Sequence, residues 1–121
     1  LIMSIISKVL IVLVALEFFY IMYLETFATS SKATSRVFNM NQEELGRPSV
    51  QNLFKNQGVY NGLIGVGLLY GLFFSSNPIE LIQMILIFII LVASYGALTS
   101  DKKIILTQGG LAILALISTF L

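Results

Sequence analysis

The chain is expected to be all-α, an integral membrane antiparallel four-helix bundle, and three observations point there. Of its 121 residues, 57% are hydrophobic and 11% are charged, where soluble domains carry about 25% charged residues. The mean hydropathy is +0.93. Four segments, 4–27, 54–74, 79–98 and 104–121, meet or approach the ~20 mostly apolar residues that a spanning helix needs. A single four-helix transmembrane domain over 1–121, with a polar cytoplasmic loop over 28–53, is what that length accommodates.

The first segment holds an apolar run from Leu10 to Leu24 that only Glu17 interrupts. A secretory signal core is roughly 7 to 15 residues and purely apolar, so this segment reads as a retained transmembrane helix. Met3-Ser4 is the expected natural start, with Leu1-Ile2 left from processing or from cloning. The stretch 28–53 is rich in Ser, Thr, Asn and Gln. Within it, Asn41-Gln42-Glu43-Glu44 has the N-cap and N3 glutamate of a capping box, so a short interfacial helix is expected. On the second span, Gly58, Gly62 and Gly65 form a groove for close helix approach, and Gly67 with Gly71 gives a second pair of small residues. Asn77-Pro78-Ile79-Glu80 supplies an N-cap, a first-turn proline and an acidic residue at N3 for the third span. Ser100 or Asp101 would cap the fourth, which is short. The tight second and third connections make helices two and three, and three and four, antiparallel neighbours.

Charge fixes an expected topology. Lys32, Arg36, Arg47 and Lys55 lie in or beside the first loop, Lys102 and Lys103 in the third, and none in the second, so six of the seven basic residues agree. The positive-inside rule then puts loops one and three in the cytoplasm and both termini outside, in a bacterial plasma (inner) membrane. Lys8 can snorkel to the outer interface. A net charge of +1 with no basic cluster beyond Lys102-Lys103 argues against nucleic acid. No cysteine and no histidine occur, which removes disulfides, thiolate chemistry and the usual metal ligands, so no metal and no cofactor are expected.

Glu17 is the leading candidate for function. A carboxylate at the centre of a spanning helix costs roughly 2.5 to 3.5 kcal/mol on insertion scales and normally faces other helices or a wet cavity. No Lys or Arg stands at comparable depth, so its charge must be removed by a proton or balanced by water or a bound cation. It lies about 12 Å from Glu25, taken as the cytoplasmic end of helix one, at 1.5 Å per residue. Helical spacing puts Tyr20 on the same stripe, where the two side chains can meet. Gln57, Tyr60 and Asn61 share a face of helix two. With Tyr95 and Gln108 they are expected to border a polar pocket open to the cytoplasm: Glu17, Tyr20, Gln57, Tyr60, Asn61, Tyr95 and Gln108. Taken singly, Asn61, Ser94 and Gln108 also suit interhelical hydrogen bonding at about 0.6 kcal/mol each. Tyr20, Tyr23 and Tyr70 suit belt or core aromatics. Glu25, Lys32 and Lys102-Lys103 read as solvated boundary charges, and Glu80 as a cap.

Leu16-Glu17, Tyr20-Ile21, Tyr23-Leu24-Glu25 and Phe27, then Asn56-Gln57-Gly58-Val59-Tyr60-Asn61-Gly62, Tyr95-Gly96-Ala97 and Gln108-Gly109, resemble the uncharacterised bacterial membrane-protein family called domain of unknown function 1304. The resemblance runs nearly end to end and implies a small four-helix inner-membrane protein without an activity to transfer. Many members carry a histidine directly after the first-helix glutamate, where this chain has Phe18. Two looser likenesses concern architecture. Small multidrug-resistance transporters are four-helix chains with a membrane-embedded glutamate in helix one. Membrane-associated eicosanoid and glutathione metabolism enzymes carry an Asn and a Glu near the start of helix two, where this chain has Arg47, Asn52, Lys55, Asn56 and Asn61, with Tyr60 near the acidic position.

The expected activity is therefore binding or transport of a small amphipathic or cationic molecule, with Glu17 as proton or cation acceptor and Tyr20, Tyr60 and Asn61 orienting the ligand. Membrane lipid and further copies of the chain are the expected partners. One alternative is a membrane enzyme in which Arg47 and Lys55 hold an anionic cosubstrate; only Tyr, Glu and Lys are then left for chemistry, so a non-enzymatic role is favoured. The other is a structural or regulatory subunit docked through the glycine faces of helix two.

Overall fold

The computed structural model describes residues 3–100 and 102–121, without the side chain of Ile104. Leu1-Ile2 and the alternative cap Asp101 lie outside the described residues. The fold is all-helical, with no strand among the described residues: α1 (Ile5–Met22) running into a π-helical turn (Tyr23–Phe27), α2 (Lys32–Phe38), α3 (Gln42–Leu45), α4 (Pro48–Phe73), α5 (Pro78–Thr99), α6 (Ile104–Thr107) and α7 (Gly110–Ser118). Two stretches are long and apolar enough to cross a membrane by length and composition, Ile5–Phe27 and Pro78–Thr99. Only 33% and 22% of their apolar windows are buried within the described residues, so much of that apolar surface is left partly or fully outward.

The chain forms two compact units, one of residues up to Ala15 with those from Val66 onward, the other Leu16–Gly65. In the first unit, α5 is organised by spacing. Ile82, Leu86, Ile89 and Ala93 recur at helical intervals and are all buried. Their neighbours are small. A side chain at Gly71 would meet Ile82 at 3.0 Å, one at Gly67 would meet Ile85 at 3.2 Å, and one at Gly109 would meet the Ile105 carbonyl at 2.7 Å and Ala93 at 3.3 Å. As α4 rises, its contacts on α5 descend, which is the antiparallel arrangement that the short 74–77 connection predicts. Gln83 donates to Thr119 at 3.0 Å, and Ser7 to Ser118 at 2.8 Å, tying α5 and α1 to the end of α7. Ser94 bonds back to the Ile90 carbonyl at 2.7 Å, a local structural role.

Two local expectations change. Asn77 precedes Pro78 as expected, yet its side chain makes no capping bond. Its backbone lies at ψ 65, whereas Ser31 and Asn41, which do cap, are extended at ψ 161 and 154. Only the extended geometry aims a side-chain oxygen at the N2 or N3 amide. The segment 104–121, read as one helix, is instead α6 and α7 with a turn at Gln108-Gly109. Adjacent glycines at 109 and 110 each cost the helix about 1 kcal/mol relative to alanine, and the close Gly109 contacts favour the corner.

In the second unit, the capping-box helix forms. Asn41 accepts from the Glu44 amide at 2.7 Å at the start of α3, and Glu44 pairs with Arg47 at 3.2 Å on the surface. Phe38 and Phe54 meet edge to face at 5.2 Å, fixing the end of α2 against α4. Asn39 ends α2 in the left-handed region at φ 54, which asparagine tolerates better than most residues.

Candidate functional site

The end of the first apolar helix widens over Tyr23–Phe27, where the Ala28 amide reaches back five residues to the Tyr23 carbonyl at 3.0 Å. Widened turns of this kind recur at functional sites, and here local residues sustain it. The loosened carbonyls find hydroxyls: Thr29 donates to the Glu25 carbonyl at 2.7 Å, and the buried Thr34 of α2 lies 3.1 Å from the Leu24 carbonyl and 2.6 Å from that of Ala28. Thr26 donates across to the Lys55 carbonyl at 3.1 Å. That approach depends on Gly58, since a β-carbon there would collide with the Thr26 hydroxyl. One turn on, Gly62 makes room for the Met22 thioether in the same way. The glycine face of α4 is therefore occupied by the chain's own helix, which withdraws Gly58 and Gly62 as a docking surface for a partner subunit.

This wide turn carries Glu25 inward. Its exposure is 0%, and its two carboxylate oxygens accept separately, one from the Gln57 amide at 2.8 Å and one from the Asn61 amide at 2.6 Å. Gln57 and Asn61 are four residues apart, so they sit one turn above the other on α4, matched to the two oxygens. Charge-assisted bonds are about twice as strong as neutral ones, yet both donors are neutral and no cation pairs with Glu25 among the described residues. The cluster can thus hold an anionic oxygen pair in place and leave its charge open to a proton or a small cation.

Reading Glu25 as a solvated boundary charge is corrected by this geometry. Its position at the polar end of an apolar run suggested exposure, but α2 folds back through Thr34 and covers that end. The signal that could have found it is the Gln57/Asn61 pair, two amides with one-turn spacing that need a common acceptor.

Of the expected pocket residues, Gln57 and Asn61 come together, on Glu25 and not on Glu17. One oxygen of Glu17 is buried without a hydrogen-bond partner, so Tyr20 does not cap it. Tyr20 is 52% and Tyr60 70% exposed, with their rings outward. Tyr95 and Gln108 belong to the other unit, Tyr95 exposed on α5 and Gln108 in the turn between α6 and α7. That unit has a concavity of about 530 Å³ at the start of α5, bordered by Ser76, Asn77, Glu80 and Gln83. None of its lining residues belongs to the expected set. Arg47, once a candidate for an anionic cosubstrate, is engaged with Glu44. No group of three or more metal-ligating side chains occurs among the described residues.

The family described as protein of unknown function (DUF1304) matches residues 12–120. An uncharacterized protein, YpaA, of Lactococcus lactis subsp. lactis (strain IL1403) is 74% identical over 118 residues, covering 98% of this chain and 99% of the relative. No solved structure matches.

Proposed function

The chain belongs to the DUF1304 family of proteins of unknown function, and from that premise we propose that it is a multi-pass inner-membrane protein that binds a small cationic or amphipathic cationic molecule at Glu25. One observation carries this reading: a fully buried carboxylate is held on both oxygens by neutral amides, and no ion pair to it occurs among the described residues. Leaving an ionised group uncompensated in a low-dielectric interior costs several kcal/mol, so occupancy by a cation or a proton is what makes the arrangement tenable. Glu17, two turns away with an unpartnered oxygen, serves the same charge chemistry deeper along the helix, which makes carriage of the bound cation the natural extension.

Membrane residence is supported by the two apolar stretches and by the large apolar side chains they leave outward, such as Leu13, Leu16, Leu91 and Leu98. Soluble monomers rarely expose contiguous apolar surface of that extent. In the proposed arrangement α4 and the α6–α7 segment complete a four-helix bundle. The basic loops 28–53 and 100–103 face the cytoplasm, both termini lie outside, and copies of the chain associate through the outward apolar faces.

Equilibrium binding of a lipophilic quaternary cation such as tetraphenylphosphonium to the detergent-solubilised protein tests the site. Wild type should bind it, and Glu25→Gln should weaken binding at least tenfold while keeping its helical content. An unchanged affinity in a folded Glu25→Gln variant would remove Glu25 from the site.

A further inference from the structure

We propose that α2 is an anionic-phospholipid docking helix, whose Lys32 and Arg36, with Lys55 of α4, hold the phosphate of a lipid headgroup. This rests on the membrane reading above, and on observations that the Glu25 site does not use. Lys32 and Arg36 are four residues apart, so they share one face of α2. The face they leave is the one turned to the π-helical turn and the residue after it: Thr34 is buried there and bonds to the Leu24 and Ala28 carbonyls. The basic face is thereby directed away from the chain, and Lys32 and Arg36 are exposed. Lys55 follows Phe54, whose ring meets Phe38 at the C-terminal end of α2, so a third exposed cation lies on the part of α4 that packs against α2. None of the three forms an ion pair among the described residues, whereas neighbouring Arg47 is already committed to Glu44.

The company these cations keep selects the occupant. Val37, next to Arg36 on α2, is half exposed, and Leu53 of α4 is largely exposed, so outward apolar surface occurs on both helices that carry the charges. A free anion or an acidic soluble partner has no use for that surface, whereas a phospholipid supplies phosphate at the depth of the cations and acyl chain at the depth of the apolar residues. The location also fits. Four residues separate α2 from the π-turn that ends the first apolar stretch, and basic groups immediately beyond a spanning helix on the cytoplasmic side are where anionic headgroups concentrate.

The test is lipid selectivity in bilayers, with the protein reconstituted into phosphatidylcholine containing spin-labelled phosphatidylglycerol or spin-labelled phosphatidylcholine. Wild type should retain the phosphatidylglycerol probe in preference. Lys32→Gln and Arg36→Gln should each lower that preference about five-fold, the effect expected per basic residue near the surface, and raised salt should erode it. Arg36→Lys, which keeps the charge, should keep most of it. Equal selectivity in wild type and the Lys32→Gln/Arg36→Gln double variant overturns the proposal, as does displacement of the probe by soluble glycerol phosphate, which would assign the surface to a free anion. Carbonate extraction of the same vesicles separates the two ideas. An extraction-resistant protein without lipid preference sinks lipid docking alone, and an extractable one sinks the membrane reading itself.

Discussion

Glu25 has the three bonds that hold a carboxylate turn rigid, two to its side chain and one to its carbonyl, and each can be removed separately. Asn61→Leu takes away the shorter side-chain bond and leaves a buried acceptor short of a partner, a loss of about 1 to 3 kcal/mol. Gln57→Leu should cost less, because Gln57 is itself exposed and water can replace its amide. Thermal unfolding in detergent should rank Asn61→Leu below Gln57→Leu, and Thr34→Val should lose a comparable ~1 to 3 kcal/mol by taking the hydroxyl from the buried Leu24 carbonyl, while the Ala28 carbonyl keeps the Ser31 amide. A reversed order of the two amide variants would show that Gln57 bears the larger share. At this scale the sequence was half legible. Gln57 and Asn61 are conspicuous as polar amides in an apolar helix, whereas the burial of Glu25 comes from α2 folding back, a tertiary event that no local pattern announces. Glu17 was conspicuous for the same reason as the amides, and the structure gives it no hydrogen-bonding company.

Glycines act at the scale of elements by setting how near two helices come, and the three tightest should differ in cost. At Gly109 an added methyl meets a backbone carbonyl at 2.7 Å, and backbone cannot swing aside. At Gly58 it meets the Thr26 hydroxyl, so the Thr26 bond to the Lys55 carbonyl must break. At Gly62 it meets the end of the flexible Met22 side chain, which can change rotamer. Overpacking costs about 1 to 3 kcal/mol, and unfolding temperatures of Gly109→Ala, Gly58→Ala and Gly62→Ala should fall in that order, the first most. Equal losses at all three would mean that the neighbours relax freely. Among the elements, α1 and α5 were readable from apolar length and α3 from its capping box, whereas α2 and the start of α4 at Pro48 fall inside the stretch read as loop. Nor was the fourth segment readable, because hydropathy is blind to a break between two apolar helices.

The whole molecule has no cysteine, so single introduced thiols report topology without background. Ser35→Cys and Lys102→Cys should react with a membrane-impermeant maleimide only when the cytoplasmic side is open, and Ser76→Cys only from outside. Labelling of Ser35→Cys from outside intact cells would invert the proposed orientation. The all-helical class was legible from composition, since so little charge in 121 residues leaves few other solutions; the partition into two units was not, because it depends on contacts between residues far apart in sequence. The wide turn at Tyr23–Phe27 has a consequence for the first span as a whole. Counted at 100° per residue, Glu25 falls about 80° around the helix from Glu17, but the extra residue in that turn resets the angular phase of everything after Met22. The span carries two angular phases, one before this turn and one after it, and deletion of Tyr23 or Leu24 would merge them. The side chain then presented to Gln57 and Asn61 would no longer be a carboxylate, so a relative lacking that residue could keep every polar group named here and still lose the site.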